Sequence, residues 1–277
     1  MAIFNLFLTF DPAYSFIAVQ ILWVIEFSMI ILSLMIYLPV PVILVTGLII
    51  VCGHNLLDAL DYPRPVTPPL RWGFLHQQSF FPFDPNRMFA FLYPLIPWPG
   101  VMMLGYTVGT MYQQEYNDLK RRRQLMVFGT GITLFFAALR LINVYGDPSG
   151  WQYQKNLVFT VLSFLNVTRY LPSFLFLSMT PVPALIILSL VEPMNAKWTK
   201  IVAVYGGVPF FYFLVHSFIL HFVCMVIFFL NGHTLARANT GLLHFRPDNF
   251  GYSPGIVYLI WLAVVIYYIL FVKNIIV

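Results

Sequence analysis

The sequence predicts an all-α, polytopic transmembrane helix bundle of about seven spans, and three observations carry that expectation. The 277 residues are 60% hydrophobic, 18% aromatic and only 9% charged. The mean hydropathy is +0.82. Uncharged apolar runs recur along the chain at lengths near the ~20 residues that cross a hydrocarbon core. Soluble domains carry roughly 25% charged residues, and a chain this apolar cannot hide its surface from water. Lipid is therefore its solvent.

The first span is expected from Tyr14 to Tyr37, ended by Leu38-Pro39-Val40-Pro41. The second runs from Val42 to Leu57. Residues 58–93, rich in proline and aromatic residues, read as an ordered external loop rather than a span. The third span is expected from Pro94 to Tyr112, with prolines suited to a first helical turn. A polar loop from Gln113 to Gln124 holds Lys120-Arg121-Arg122-Arg123, and the fourth span follows from Leu125 to Val144. Gly146 to Gly150 is a turn, and Asn156 to Val167 is apolar but too short to cross. The fifth span, Pro172 to Val191, should kink at Pro181 and Pro183. Gly206-Gly207 and Pro209 should break the long run from Trp198, leaving a sixth span from Val208 to Leu230. Asn231 to Tyr252 is a loop, and Pro254 to Val272 is the seventh span. No low-complexity linker divides the chain, so residues 1–277 read as one transmembrane domain.

The net charge is +5, but the basic residues are sparse and report orientation, not nucleic-acid binding. The Lys120–Arg123 cluster should be cytoplasmic. Alternation then places 58–93, 146–155 and 231–252 outside, together with the N-terminus. It places Lys197, Lys200 and Lys273 inside, with the C-terminus. Met1 to Phe10 do not resemble a signal peptide. Cys52 and Cys224 lie in apolar runs, so no disulfide framework is expected.

Ionisable groups at membrane depth mark a site or a buried pair. His54 and Asp58 share a helical face at i, i+4, where the carboxylate would orient the imidazole for proton transfer. A polar helix end meeting the loop is the alternative. Arg140 and Asn143 share a face near Tyr145 and Asp147. The guanidinium would hold a carboxylate, phosphate or oxyanion, or else pair with Asp147 or snorkel. His216 lies inside the sixth span, as a catalyst or an interhelical hydrogen-bonding group. Arg169 and Tyr170 stand at an interface, for anchoring or substrate binding. Arg121, Arg122 and Arg123 would meet cofactor phosphates or simply set topology. Glu26 lies mid-span, either protonated or paired with another helix. Gly105 and Gly109 form a small-xxx-small pair suited to close helix packing. No metal-ligand spacing, phosphate loop or nucleophile elbow is present in the sequence.

Several strings, taken in order, resemble one family. They are Gly53-His54-Asn55-Leu56-Leu57-Asp58; Tyr93-Pro94-Leu95-Ile96-Pro97-Trp98 with Gly100-Val101-Met102 and Leu104-Gly105-Tyr106; and Leu139-Arg140 with Asn143 and Tyr145-Gly146-Asp147-Pro148. Ser163 to Tyr170, Pro172-Ser173, and Val208 to Tyr212 with His216 complete the set. Together they resemble the bacterial membrane proteins grouped with the heparan-α-glucosaminide N-acetyltransferase catalytic domain.

The resemblance implies an acyltransferase-like fold in the bacterial inner membrane. It implies acetyl-CoA or another acyl-CoA as co-substrate, no metal, and an amino sugar or other glycan as acceptor. His54, Asp58 and His216 become candidate catalytic groups. Arg140, Asn143, Tyr145, Arg169, Tyr170 and Trp98 become candidate substrate contacts. The chain departs from the family pattern at Glu26, Leu171 and Gly207, and it begins after the point where relatives carry an Asp, an Arg-Gly start and a histidine. That predicts a divergent or truncated member. An inactive structural subunit and a small-molecule transporter are the competing functions, and the oligomeric state is left open.

Overall fold

The computed structural model describes residues 11, 13–63, 66–85, 87–169, 172–194, 196–238 and 250–276. The chain is predominantly helical. Its elements in order are β1 (Phe16–Val19), α1 (Ile21–Met35), α2 (Val40–Gly53) continued by a 3-10 helix (His54–Leu60), α3 (Leu70–Leu75), β2 (Ser79–Asp84) and β3 (Arg87–Phe91). Then come α4 (Trp98–Thr110), α5 (Asp118–Ile142), α6 (Leu157–Leu165), α7 (Phe174–Met179), α8 (Val182–Val191), α9 (Lys197–Gly207), α10 (Pro209–Leu230), a 3-10 turn (Leu235–Arg237) and α11 (Pro254–Ile276).

Four helical stretches among the described residues are long and apolar enough to cross a membrane. They are Val40–Leu60, Asp118–Ile142, Phe174–Val191 and Pro209–Leu230. Ile21–Met35 and Pro254–Tyr268 are shorter apolar helices. The break expected at Gly206-Gly207 and Pro209 falls at Val208, between α9 and α10, and the kink expected at Pro181 and Pro183 falls at Thr180-Pro181, between α7 and α8. Proline explains both, since it lacks the amide hydrogen that would continue the ladder.

Two expectations differ from the structure. The segment 58–93 contains α3 and two strands, which join β1 in a three-stranded sheet of order β1-β3-β2. The basic cluster is not in a loop. Asn117 caps α5 by accepting the Lys120 amide at 3.0 Å, so Lys120 to Arg123 lie on the first turns of that helix. A side-chain oxygen at the N-cap satisfies an otherwise orphaned amide, which sets the helix start earlier than hydropathy does.

The chain forms two compact units. One comprises residues 18–81 and 89–193, the other 1–17, 82–88 and 194–277. In the first, α2 packs on α4, and α5 packs on α8. Glycine makes both contacts close. A Cβ on Gly100 would sit 2.9 Å from Ile50 Cβ and 3.0 Å from the Gly47 carbonyl oxygen. A Cβ on Gly129 would sit 2.7 Å from Ile186 Cγ1. Around Gly105 and Gly109 a Cβ would meet nothing within 4 Å, so the close approach is made by Gly47 and Gly100 instead. One apolar cluster joins Val51, Phe136, Val167, Phe174, Leu175 and Leu177. A second joins Trp23, Val24, Phe91 and Leu95, with Phe74 and Trp98 against it.

In the other unit, α10 carries His216. Its Nδ1 lies 2.7 Å from the Tyr212 carbonyl of the preceding turn, and the ring stacks on Tyr212 at 4.6 Å. This contact is internal to the helix.

Gly100→Ala should lower the unfolding free energy by about 1–3 kcal/mol through overpacking. Gly105→Ala should leave it unchanged or raise it by up to about 1 kcal/mol through helix propensity. Thermal unfolding of the two variants in one detergent compares them, and the reverse ranking would contradict the described α2–α4 contact.

Candidate functional site

The strings around His54, Arg140 and Asn166 converge in the first unit, whereas Val208 to Tyr212 and His216 belong to the other. The C-terminal end of α2, the loop from Asn143 to Asn156 and the loop from Asn166 to Ser173 meet there, although they are far apart in the chain. In each case a buried side chain binds main chain from another segment.

His54 is 2% exposed. Its Nδ1 lies 2.9 Å from the Val51 carbonyl oxygen and its Nε2 lies 2.9 Å from that of Pro172. Both ring nitrogens thus face acceptors. A neutral ring donates to one and turns its lone pair on the other; only the doubly protonated ring donates to both. Asn55 accepts the Phe174 amide at 2.8 Å and donates to Asp58 Oδ2 at 2.8 Å. The expected His54–Asp58 contact is replaced by this Asn55–Asp58 bond, because the α-helix tightens to a 3-10 helix at His54 and eclipses i with i+3.

Arg140 is 1% exposed. Its Nε donates to the Phe164 carbonyl at 3.0 Å, Nη1 to Ser149 at 2.9 Å, and Nη2 to Ser163 at 3.3 Å and Asn166 at 2.9 Å. The guanidinium therefore caps the C-terminal end of α6, where carbonyls lack intrahelical partners and a cation complements the helix dipole. Asp147, the alternative partner, is engaged elsewhere. It accepts from the Thr168 amide at 2.7 Å, Thr168 Oγ1 at 2.9 Å and Ser173 Oγ at 2.9 Å. Gly146 has φ +93°, and its carbonyl accepts the Leu175 amide at 2.9 Å. Asn143 ends α5 in the left-handed conformation at φ 60°, and its side chain holds both main-chain groups of Trp151 at 3.0 and 3.1 Å.

Tyr145 donates its hydroxyl to the Cys52 carbonyl. Burial pushes that phenol above its ordinary range, so it remains a donor. Arg169 is exposed, and Tyr170 lies outside the described residues. Trp98 belongs to the Trp23 cluster, where it lies 6.0 Å from the Tyr93 ring.

The sequence reading missed the titratable cluster beside this junction. His76, fully buried at the end of α3, places Nδ1 3.0 Å from Asp61 Oδ1 and Nε2 3.1 Å from the His54 carbonyl. Asp58 Oδ1 is 3.6 Å from Nε2, buried, and without a hydrogen-bond partner. Trp72 Nε1 donates to Asp61 Oδ1 at 2.8 Å. Donor atoms of Asp58, Asp61 and His76 lie within 4.8 Å of one another, the spacing of a metal site. Both His76 nitrogens also lie within hydrogen-bond reach of oxygens, and a neutral ring there donates from one nitrogen and keeps a lone pair on the other. The arrangement suits an acid–base group as well as a cation. The i, i+4 spacing of Trp72 and His76 within the loop was the available signal.

At the start of α5, Arg121 is 8% exposed. It binds Glu192, at the end of α8, and Asp118 at 2.8 Å, and lies 4.6 Å from the Tyr112 ring. Arg122 Nε reaches the Ser189 carbonyl at 3.3 Å, and Arg123 is exposed. Arg121 thus joins α5 to α8.

Arg140→Met would orphan three of its four carbonyls, the Ser163 oxygen keeping the Asn166 amide, and at ~1–3 kcal/mol for each one buried the folded protein should lose about 3 kcal/mol or more. Arg140→Lys should recover part of this, because one ammonium cannot span all four acceptors. Folded fraction after detergent challenge measures the ranking; equal stability of all three proteins would show that the cap is not needed.

No curated protein and no solved structure matches the chain. A family description, heparan-alpha-glucosaminide N-acetyltransferase, catalytic, matches residues 2–145. That match covers more than half of the chain, including the Gly53–Asp58 string, α4 and Arg140, and it joins the apolar spans and the buried polar junction in one conclusion: this integral membrane protein belongs to the heparan-alpha-glucosaminide N-acetyltransferase catalytic family and is acyltransferase-like.

Proposed function

We propose that the chain transfers an acyl group from acyl-CoA, acetyl-CoA foremost, to the amino group of a sugar-type acceptor. The observation that carries this reading is Asp58 Oδ1, buried and without a hydrogen bond 3.6 Å from His76 Nε2, on a string that falls within the family match. The acceptor amine attacks the thioester carbonyl, the amide C–N bond forms as the C–S bond breaks, CoA leaves and takes up a proton as its thiol, and the amine must lose one. Asp58, backed by His76 and Asp61, is the group placed to take it. His54 acts as a positioning residue, since its ring is used by two carbonyls while its own carbonyl holds His76. Arg140, Asn143 and Tyr145 hold the junction in shape. Arg169 and Trp98 are retained as acceptor contacts, and Tyr170 with them. On the opposite side, Arg123 is the member of the basic cluster exposed to meet a phosphate of the donor, Arg121 being committed to Glu192. His216 is retained as a further candidate on α10.

A second reading, a structural membrane subunit without activity, is favoured by one observation: His54 and Arg140 are engaged entirely by main-chain oxygens.

Membranes containing the full chain, incubated with radiolabelled acetyl-CoA and a glucosamine-terminated glycan, separate these readings. Label should appear on the glycan and fall at least about 100-fold in Asp58→Asn and in His76→Gln at equal membrane abundance. No label with the unaltered chain would favour the structural subunit. Undiminished transfer by both variants would remove the cluster from the reaction.

A further inference from the structure

A cavity of about 360 Å³ lies along α1 and α4, lined by Ile25, Ser28, Leu32, Trp98, Met102 and Gly105, among others. Its size falls within the range of small-ligand sites, ~300–1,000 Å³. No lining residue is charged, and nearly all of the wall is hydrocarbon. Two lining side chains are nevertheless polar and unsatisfied. Ser28, fully buried in α1, has a hydroxyl without a partner, and the buried Trp98 Nε1 is likewise unpaired. A buried donor without an acceptor is costly, most of all where no water reaches it.

Gly105 adds an independent observation. A Cβ there would meet nothing within 4 Å, so no packing contact in the fold requires glycine at that position. What its missing side chain leaves is space at the cavity wall. From Trp98 to Tyr106 the wall extends about 12 Å along α4 at the helical rise.

We propose that this cavity binds one acyl chain of a membrane glycerolipid, with the ester carbonyl accepting from Trp98 Nε1 or Ser28 Oγ once the chain displaces the packing that covers these two atoms. Hydrocarbon walls select a chain. The two unpaired donors select a neutral acceptor on it. The absence of a lining cation excludes a buried phosphate, which stays outside with the headgroup. This site shares Trp98 with the proposed acceptor contacts but none of the Asp58–His76 cluster, and its occupancy is read without acyl transfer.

The test uses the full chain in phosphatidylcholine nanodiscs containing a phosphatidylcholine whose acyl chain carries a diazirine. After irradiation, crosslinked peptides are mapped by mass spectrometry. Crosslinks should concentrate on 25–32 and 98–106. Gly105→Leu, which fills the wall and excludes two or three methylenes, should reduce them at least about tenfold. Ser28→Ala, which adds no volume, should reduce them about fivefold through loss of one hydrogen bond. Gly109→Leu, outside the lining, should leave them unchanged and controls for bulk on the same helix. Label spread evenly over the apolar helices, or label at 25–32 and 98–106 indifferent to both Gly105→Leu and Ser28→Ala, overturns the proposal.

Discussion

The guanidinium of Arg140 bonded to four main-chain oxygens is the interaction on which the arrangement of the first unit depends. In lipid, a charge or a bare carbonyl has no water to fall back on, so each must find company within the protein. Arg140 answers both needs at once. It brings the end of α6 and the 149–166 segment onto the end of α5, and this places Asp147 where Thr168 and Ser173 can donate to it. Ser173 in turn begins α7, whose Phe174 amide reaches Asn55. The order of these bonds runs from a cation in a span to a carboxylate at the candidate acid–base cluster.

The cluster itself shows how the same surroundings create reactivity. Asp58 receives one hydrogen bond, from Asn55, and its second oxygen is left buried beside His76. A fully satisfied carboxylate would be inert scaffolding, as Asp147 is. The incomplete satisfaction of Asp58 is the physical difference between the two, although both lie on motif strings.

Much of this was legible in the residues. Apolar run lengths and the Pro181 and Pro209 breaks located the long helices, and the strings around His54, Arg140 and Asn166 pointed to segments that do meet. The partners were not legible. Arg140 and His54 bind carbonyl oxygens, which every residue possesses and no residue letter announces. His76 finds Asp61 fifteen positions away through the turn between the 3-10 helix and α3, a relation that no helical spacing expresses. The strands Phe16–Val19 and Ser79–Asp84 were hidden because apolar and proline-rich stretches mask a period of two. The close-packing glycines were misassigned because small residues recur along α4, and only the neighbour Gly47 distinguishes Gly100 from Gly105.

The chain position of the acceptors around Arg140 governs how the protein is made. Every one of them, Ser149 to Asn166, is translated after Arg140 itself. A lone arginine opposes entry of its helix into the bilayer by ~2.5–3.5 kcal/mol at mid-depth, and less near the interface. The nascent α5 carries that penalty until α6 emerges and folds back onto it. Biogenesis thus commits the two helices as one hairpin, and a ribosome paused between them would hold a span that has not yet acquired its counter-dipole.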